Sequence, residues 1–293
     1  MEHIAKIDIH AHVRPKRQEE ASMLCAEDLL PLYDRLGVEK AVILPFLSPS
    51  LKKQDRTPEN SAKIVEQYPD RFLWFTSLDL TKPTVNEKSY YDYLSEQKKL
   101  GAKGVGEVTS KVWMDSPAVE ELFYCCEALE LPVLFHISPD FDQKYGVVDD
   151  IGLARLDAML TRFPRLCFIG HAKPFWNEIS RLENQADRTR TIHEPVEEGR
   201  LATLLRRHAN LYCDLSAKSG SHAMMRDPHY AAAFLEEFQD RVLYGTDLCS
   251  TTSVYPFQFA DFLEEMRTSG AITEGTYRKL CRENVIRLLH LQL

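Results

Sequence analysis

Short runs of β-branched and bulky apolar residues alternate along the chain with longer segments whose apolar residues recur every three or four positions. The first pattern is typical of buried strands and the second of amphipathic helices, so their alternation predicts βαβ units and a parallel sheet. Eight segments are predicted to be strands: 5–10, 40–46, 72–78, 103–108, 131–136, 166–171, 210–215 and 241–246. Nine are predicted to be helices: 26–36, 58–68, 89–100, 116–129, 150–163, 199–208, 229–238, 256–268 and 273–290.

Eight strand–helix units in 293 residues average about 37 residues each, which suits a (β/α)8 barrel with some loop insertion. An open doubly wound sheet is the alternative, but its first turn is usually rich in glycine, whereas the first strand here ends in His-Ala-His. No change in composition marks a linker. We therefore predict an α/β fold in which residues 1–293 form a single (β/α)8 TIM barrel domain with an extra C-terminal helix.

The charge balance and the composition limit the kinds of molecule that the protein is expected to bind. The chain has 36 basic and 44 acidic residues, a net charge of -8, and no block of Lys and Arg, so nucleic acid is not an expected partner. No apolar stretch approaches the length of about 18 residues that a membrane span needs, and no secretory segment opens the chain. Seven cysteines without a C-x-x-C motif fit reduced thiols. We expect a cytoplasmic protein that acts on a small molecule and does not bind a membrane.

Ionisable residues gather at the predicted C-terminal ends of the strands, where barrel enzymes hold their working residues. Residues two apart share a face of a strand, so Asp8, His10 and His12 are predicted to project to the same side. One strand-terminal histidine is usually a packed or exposed residue. Imidazoles and carboxylates at so many strand ends instead predict a shared centre for a zinc-like cation. The other strand-terminal residues of this kind are Glu107, His136, His171 and Asp247.

Five sequence segments resemble those of the amidohydrolase superfamily, specifically the amidohydrolase-related family that includes aminocarboxymuconate semialdehyde decarboxylase, resorcylate decarboxylases and several lactone hydrolases. The order of a DxHxH motif, a later histidine, GH and TD is specific for the superfamily and says much less about the reaction. The segments are DIHAH at 8–12, FHIS at 135–138, IGHAKPFW at 169–176, YGTD at 244–247 and ENVIRLL at 283–289.

The resemblance implies roles for the strand-terminal residues. His171 resembles the histidine that holds or deprotonates the water or substrate on the metal. Glu107 occupies the place where the binuclear branches carry a bridging carboxylate, so an inward-pointing Glu107 would let His136 and His171 serve a second ion. The ion is expected to be Zn²⁺, with Mn²⁺ as an alternative, and related proteins are often homodimers. The implied ligands of one divalent cation are His10, His12, His136 and Asp247.

Such a centre supports two reactions. A cation lowers the pKa of bound water from about 15.7 toward about 7 and polarises a carbonyl group, while Asp247 or His171 accepts the proton. This predicts a metal-dependent hydrolase that cleaves an ester, lactone or amide bond in a small, carboxylated or cyclic substrate. The same residues could instead assist protonation of the carbon that loses carbon dioxide, as in a nonoxidative decarboxylase of an aromatic or dienoic acid.

Two further alternatives are a noncatalytic barrel that keeps the metal for stability and a TatD-like nuclease. The first conflicts with an open coordination position, because structural zinc sites are usually closed by four protein ligands. The second is weakened by the acidic charge balance.

Four residues are candidates for substrate binding. Lys173 and Trp176 follow His171 closely and would offer a cation and an aromatic wall to a planar acid. Arg14, two residues beyond His12, and Arg226, in the predicted loop 216–229, could each bind a carboxylate. Asp214, near the end of the seventh strand, is left without an assigned role: it either supports a ligand or caps the next segment.

Overall fold

The computed structural model describes residues 4–15, 24–47 and 56–293. All eight predicted strands are confirmed there, and the one further strand in these residues, β6, pairs with β5. The strands are β1 (Lys6–Ala11), β2 (Val38–Ile43), β3 (Phe72–Trp74), β4 (Val105–Val108), β5 (Val133–Ser138), β6 (Val147–Val148), β7 (Phe168–His171), β8 (Leu211–Asp214) and β9 (Val242–Leu243).

The predicted helices are also present. In addition, two segments that were predicted as loops contain short helical elements. Two short helices, α6 and α8, and a 3-10 turn at Gln185–Arg188 lie within 172–198 and 216–229. None of the helices in the described ranges is both long and apolar enough to cross a bilayer. The helices are α1 (Ala26–Leu36), α2 (Pro58–Gln67), α3 (Tyr90–Lys99), α4 (Pro117–Ala128), α5 (Ala154–Arg162), α6 (Lys173–Asn177), α7 (Arg200–Arg207), α8 (Ala217–Met225), α9 (Pro228–Glu237), α10 (Tyr255–Thr268), α11 (Glu274–Arg278) and α12 (Asn284–Leu288).

The strands pair in parallel in two sheets, and hydrogen bonds between the edges of these sheets close them into a barrel at two places, here called the first and second seam. Strands β1, β2 and β3 pair in that order, as do β4, β5, β7, β8 and β9. At the first seam, the backbone N–H of Thr76 donates to the Gly104 carbonyl at 2.9 Å. At the second, the N–H of Ile9 donates to the Tyr244 carbonyl at 3.0 Å. The predicted eight-stranded barrel with surrounding helices is thereby confirmed.

The barrel interior is filled by apolar side chains, as in barrels of this size. Its wall has no room for a side chain at position 104, since a Cβ there would lie 2.6 Å from the ring of Phe75. The end of the chain contributes to the same cluster, so the extra C-terminal helix packs against the barrel interior. The cluster consists of Ile7, Ile9, Val42, Leu44, Phe75, Leu134, Ile169, Leu243, Val285, Leu288 and Leu289.

Candidate metal centre

The end of β1 and the segment after β9 bring together His10, His12 and Asp247. The Nε2 atoms of the two imidazoles are 3.1 Å apart, and Oδ1 of Asp247 lies 3.8 Å from each. Asp247 reaches this position because its backbone N–H donates to the His10 carbonyl at 2.9 Å. These three ligand atoms are close enough to bind one metal ion.

A second group of potential ligands lies beside the first. Glu107 Oε1 is 2.8 Å from Nδ1 of His136 and 3.9 Å from Nε2 of His171. The other carboxylate oxygen, Oε2, is 3.4 Å from Nε2 of His12. Glu107 therefore points inward and lies between the two groups, which is the position that a bridging carboxylate needs. The geometry groups His136 with Glu107 and His171 rather than with His10 and His12.

Asp214, at the end of β8, holds two of the imidazoles. Its Oδ2 is 2.7 Å from Nδ1 of His10 and 2.9 Å from Nδ1 of His171. The hydroxyl of Ser216 donates to the same oxygen at 2.7 Å. A carboxylate accepts hydrogen bonds, so both imidazoles carry their proton on Nδ1 and direct Nε2 at the site. His12 is fixed similarly, since its Nδ1 lies 2.9 Å from the Leu44 carbonyl.

The electrostatics of the site favour a cation. Burial alone would raise the pKa of Glu107, but His136 and a hydrogen bond from His12 hold it well below its usual range. The pKa of Asp214 is likewise lowered against the effect of burial, by His10 and His171. Burial lowers the pKa of His10, but the charge of Asp214 outweighs it and raises this pKa to about 10. Buried carboxylates of this kind need compensating positive charge, and a divalent ion supplies it to a donor set of imidazoles and carboxylates.

Asp8 does not join the site, although the alternation of the strand predicts it. Its Oδ2 accepts hydrogen bonds from the hydroxyl groups of Tyr33 on α1, at 2.7 Å, and Thr246, at 2.5 Å. The pairing of β1 with β2 shifts register between Asp8 and Ala11. Because of that irregularity, strict alternation fails at this point, and Asp8 anchors α1 and the β9 segment to β1 instead.

A cavity of about 550 Å³ opens over the potential ligands. His136, His171 and Asp247 line it, and Lys173 lines it as well, while its predicted part in substrate binding stays a prediction. Arg14 follows His12, and its backbone N–H donates to the Leu24 carbonyl at 2.9 Å. Its part in substrate binding stays a prediction.

Two residues predicted to bind substrate lie elsewhere. Trp176 is 1% exposed, and its Nε1 donates to the backbone carbonyl of Asp214 at 2.8 Å. The predicted aromatic wall is therefore wrong, because the indole is buried behind the site. The guanidinium of Arg226 donates to the Glu194 carbonyl at 2.6 Å and to the hydroxyl of Ser180 at 2.5 Å. Arg226 thus joins α8 to the 180–194 segment and is not positioned to bind a substrate in this cavity.

Asp214, for which the sequence leaves ligand support and capping both open, lies within hydrogen-bond distance of His10 and His171. No sequence pattern pointed to Ser216, whose hydroxyl lies 3.1 Å from Nδ1 of His171, or to Tyr145. The ring of Tyr145 lies 4.8 Å from the ring of His136 and also 4.8 Å from that of Phe46. No pattern in the loop 137–150 indicated this contact, since it depends on how the loop folds over β5.

Comparison with known proteins identifies the family of the chain. The sequence matches the family described as amidohydrolase over residues 7–291, nearly the whole chain. No curated protein gives a significant match. The chain belongs to the amidohydrolase family and is a metal-dependent enzyme of that superfamily.

Solved structures share the fold at low sequence identity. A 2,6-dihydroxybenzoate decarboxylase from Rhizobium is 19% identical with a TM-score of 0.64, covering 98% of this chain and 99% of that chain. A dihydroxybenzoic acid decarboxylase from Polaromonas, with bound manganese and the inhibitor 2-nitroresorcinol, is 19% identical with a TM-score of 0.64, covering 99% and 98%. A probable 2-pyrone-4,6-dicarboxylic acid hydrolase from Acinetobacter baumannii, with citric acid bound, is 13% identical with a TM-score of 0.60, covering 98% and 100%.

Proposed function

We propose that this protein is a metal-dependent hydrolase that cleaves an ester, lactone or amide bond in a small carboxylated substrate. The observation that carries the proposal is the position of His171. Its Nδ1 is held by Asp214 at 2.9 Å, and the residue lines the cavity together with the potential metal ligand Asp247. A base held in one tautomer beside a cation is the arrangement that activates water.

In the proposed reaction, one set of residues would hold metal ions and another would move the proton. His10, His12 and Asp247 would hold one ion, and Glu107 with His136 would help to hold a second. When bound, the ion supplies acidification of water and polarisation of the substrate carbonyl. His171 accepts the proton of the attacking water at Nε2, and Asp214 stabilises the imidazolium that results.

The side chains of the site indicate which ion and which class of substrate to expect. Imidazole and carboxylate ligands suit zinc, and manganese, which the Polaromonas decarboxylase binds, is the alternative. Lys173 in the cavity wall supports a substrate that carries a carboxylate.

A nonoxidative decarboxylase is the second candidate, and the aromatic surroundings of His136 favour it. The rings of Tyr145 and Phe46 lie beside His136 and His12, with the His12–Phe46 ring centroids 5.6 Å apart. In this reaction the proton moves in the opposite direction, from Nε2 of His171 to the carbon that loses carbon dioxide. Two of the structurally similar proteins are named as decarboxylases of dihydroxybenzoates.

Metal analysis and turnover test the proposal together. Purified protein should contain at least about one zinc or manganese ion per chain, and His10→Ala should lose both the metal and turnover. His229→Ala is the matched control, because His229 is exposed on α9. Full turnover after exhaustive chelation would contradict a metal-dependent mechanism.

Isotopes separate the two reactions on a panel of lactones, aryl esters and aromatic acids. Hydrolysis places oxygen from ¹⁸O-labelled water in the product. Decarboxylation releases carbon dioxide and places solvent deuterium on carbon. Deuterium incorporation without labelled oxygen would replace the hydrolase with the decarboxylase.

A further inference from the structure

A second cavity, of about 360 Å³, adjoins the one over the metal ligands. The two cavities share Lys173, Lys218 and Ser219 in their walls. Lys173 begins α6 and Lys218 lies in the first turn of α8, so these two helices form the junction. Both volumes fall in the range of about 300–1,000 Å³ that is usual for small-molecule sites.

The junction carries positive charge that the protein does not neutralise. In the described part of the chain, no carboxylate lies within ion-pair distance of Lys173 or Lys218, and Lys173 Nζ reaches only the hydroxyl of Thr191, at 3.5 Å. Arg190 also lines the second cavity, but Asp187 and Glu194 pair with it at 2.8 and 3.2 Å. Among the described residues that line this cavity there is no Asp or Glu, although the whole chain has a net charge of -8.

Another part of the wall of the second cavity is apolar and aromatic. Met225, Val254 and Tyr255 line it, and the first two are 36% and 61% exposed. Tyr255 is fixed in place, because its hydroxyl donates to the backbone carbonyl of Asp247 at 2.7 Å. Lys218 lies near the start of α8 and Met225 at its end, about 10 Å apart along the helix, so the ammonium groups without a carboxylate partner and the exposed apolar side chains occupy different parts of the cavity.

We propose that the second cavity is a subsite for the distal part of the substrate. That part is an acid whose carboxylate binds between Lys173 and Lys218 and whose apolar end packs against Met225, Val254 and Tyr255. The inference rests on the proposed function, because it assigns the reacting end of the substrate to the first cavity. The substrate is therefore longer than a single-ring acid, with its carboxylate between the reacting end and an apolar group.

Equilibrium binding of two simple acids to the metal-loaded protein tests this subsite. The probes are butyrate, which offers a carboxylate with a short chain, and 4-phenylbutyrate, which adds a ring. Calorimetric titration should show that 4-phenylbutyrate binds at least about tenfold more tightly, as burial of an aromatic ring predicts. Lys218→Gln should weaken 4-phenylbutyrate binding about tenfold, and Met225→Asp should remove its advantage over butyrate.

Two control variants test whether the preference for 4-phenylbutyrate depends on the second cavity. Lys144→Gln removes a lysine that lines only the first cavity and should leave the preference for 4-phenylbutyrate intact. Tyr124→Asp adds a charge at a position 67% exposed on α4 and should also leave it intact.

Equal affinities for the two probes would overturn the subsite. So would a loss in Lys144→Gln as large as that in Lys218→Gln, or an unchanged preference in Met225→Asp. Because these measurements record binding, they fail independently of the proposed hydrolysis, which fails when turnover survives chelation.

Discussion

At the residue scale, Asp214 connects the candidate metal centre to the proposed base. Its Oδ2 lies within hydrogen-bond distance of both His10 and His171, and Ser216 donates a backbone N–H to its Oδ1 at 2.9 Å. The indole of Trp176 donates to its backbone carbonyl. A carboxylate held from so many directions keeps both imidazoles in one tautomer with little freedom, which is how groups around a metal tune its ligands.

The variant Asp214→Asn tests this connection. An amide directs two N–H donors into the site, so one of the groups that now donates to Asp214 loses its acceptor. We expect metal affinity to fall about 10- to 100-fold, together with turnover, as measured by competition with a chromophoric chelator. Ser216→Ala retains the carboxylate and should change metal affinity less than tenfold. Wild-type affinity in Asp214→Asn would show that the tautomers are fixed by other groups.

The sequence predicted the cluster of potential ligands better than it predicted the residues around the cavity, and the reason lies in the backbone. His10, His12 and Asp247 sit at strand ends, whose direction the barrel fixes. Trp176 is near His171 in sequence, but α6 begins at Lys173 and turns the indole into the protein. Nearness in sequence predicts nearness of side chains only where the local backbone is known.

At the element scale, Asp149 joins β6 to α5. Its carboxylate accepts backbone hydrogen bonds from Asp150, Arg155 and Leu156 at 2.8, 3.1 and 2.9 Å. The side chain is fully buried, and burial raises its pKa to about 6 despite these hydrogen bonds. The first turn of α5 is therefore held by a group that titrates near neutral pH.

The pH dependence of stability should reveal this group. Its pKa of about 6 in the folded protein exceeds the ordinary aspartate pKa of 3.8, so the folded state binds the proton more tightly. The resulting stabilisation is present below about pH 4 and is lost as the pH rises through about 6. At about 1.4 kcal/mol per pKa unit, it amounts to about 3 kcal/mol.

Asp149→Asn cannot titrate. The wild type should therefore lose about 2.4 kcal/mol of its free energy of unfolding relative to the variant between pH 4 and pH 7. Urea unfolding at several pH values measures both proteins. Parallel curves would show that Asp149 has an ordinary pKa in the folded state.

The elements that escaped prediction depend on tertiary contacts. The closing helix, predicted as continuous over 273–290, is divided into α11, a π-helical turn at Lys279–Glu283, and α12. The carbonyl of Leu280 accepts a hydrogen bond from the backbone N–H of Tyr244 at 2.9 Å. A carbonyl bonded outside its own helix disturbs the regular ladder, and apolar periodicity does not report such a contact.

At the scale of the whole molecule, the barrel is closed at the end away from the metal centre by the end of the chain. The Asn284 amide donates to the carbonyls of Gln239 and Val242 at 2.7 and 2.8 Å, before and at the start of β9. Val285, Leu288 and Leu289 then pack into the interior cluster. The repeated strand and helix pattern was sufficient to predict the barrel, since each unit contributes the same layers. Which side chains fill its base depends on how the last helix docks.

The variant Leu289→Ala should lower the stability of the barrel without changing metal binding or turnover at its other end. Leu289 is 4% exposed, and its truncation should lower the free energy of unfolding by about 2–5 kcal/mol, because a cavity replaces apolar contacts in the barrel interior. Leu100→Ala, at a position 70% exposed, should change it by no more than about 0.5 kcal/mol. Denaturant titration measures both.

At a temperature where Leu289→Ala is folded, its metal affinity and kcat should stay within about twofold of wild type, since Leu289 touches the opposite end of the strands. A large loss of metal affinity in the folded variant would mean that packing at the base of the barrel sets the positions of His10 and His12.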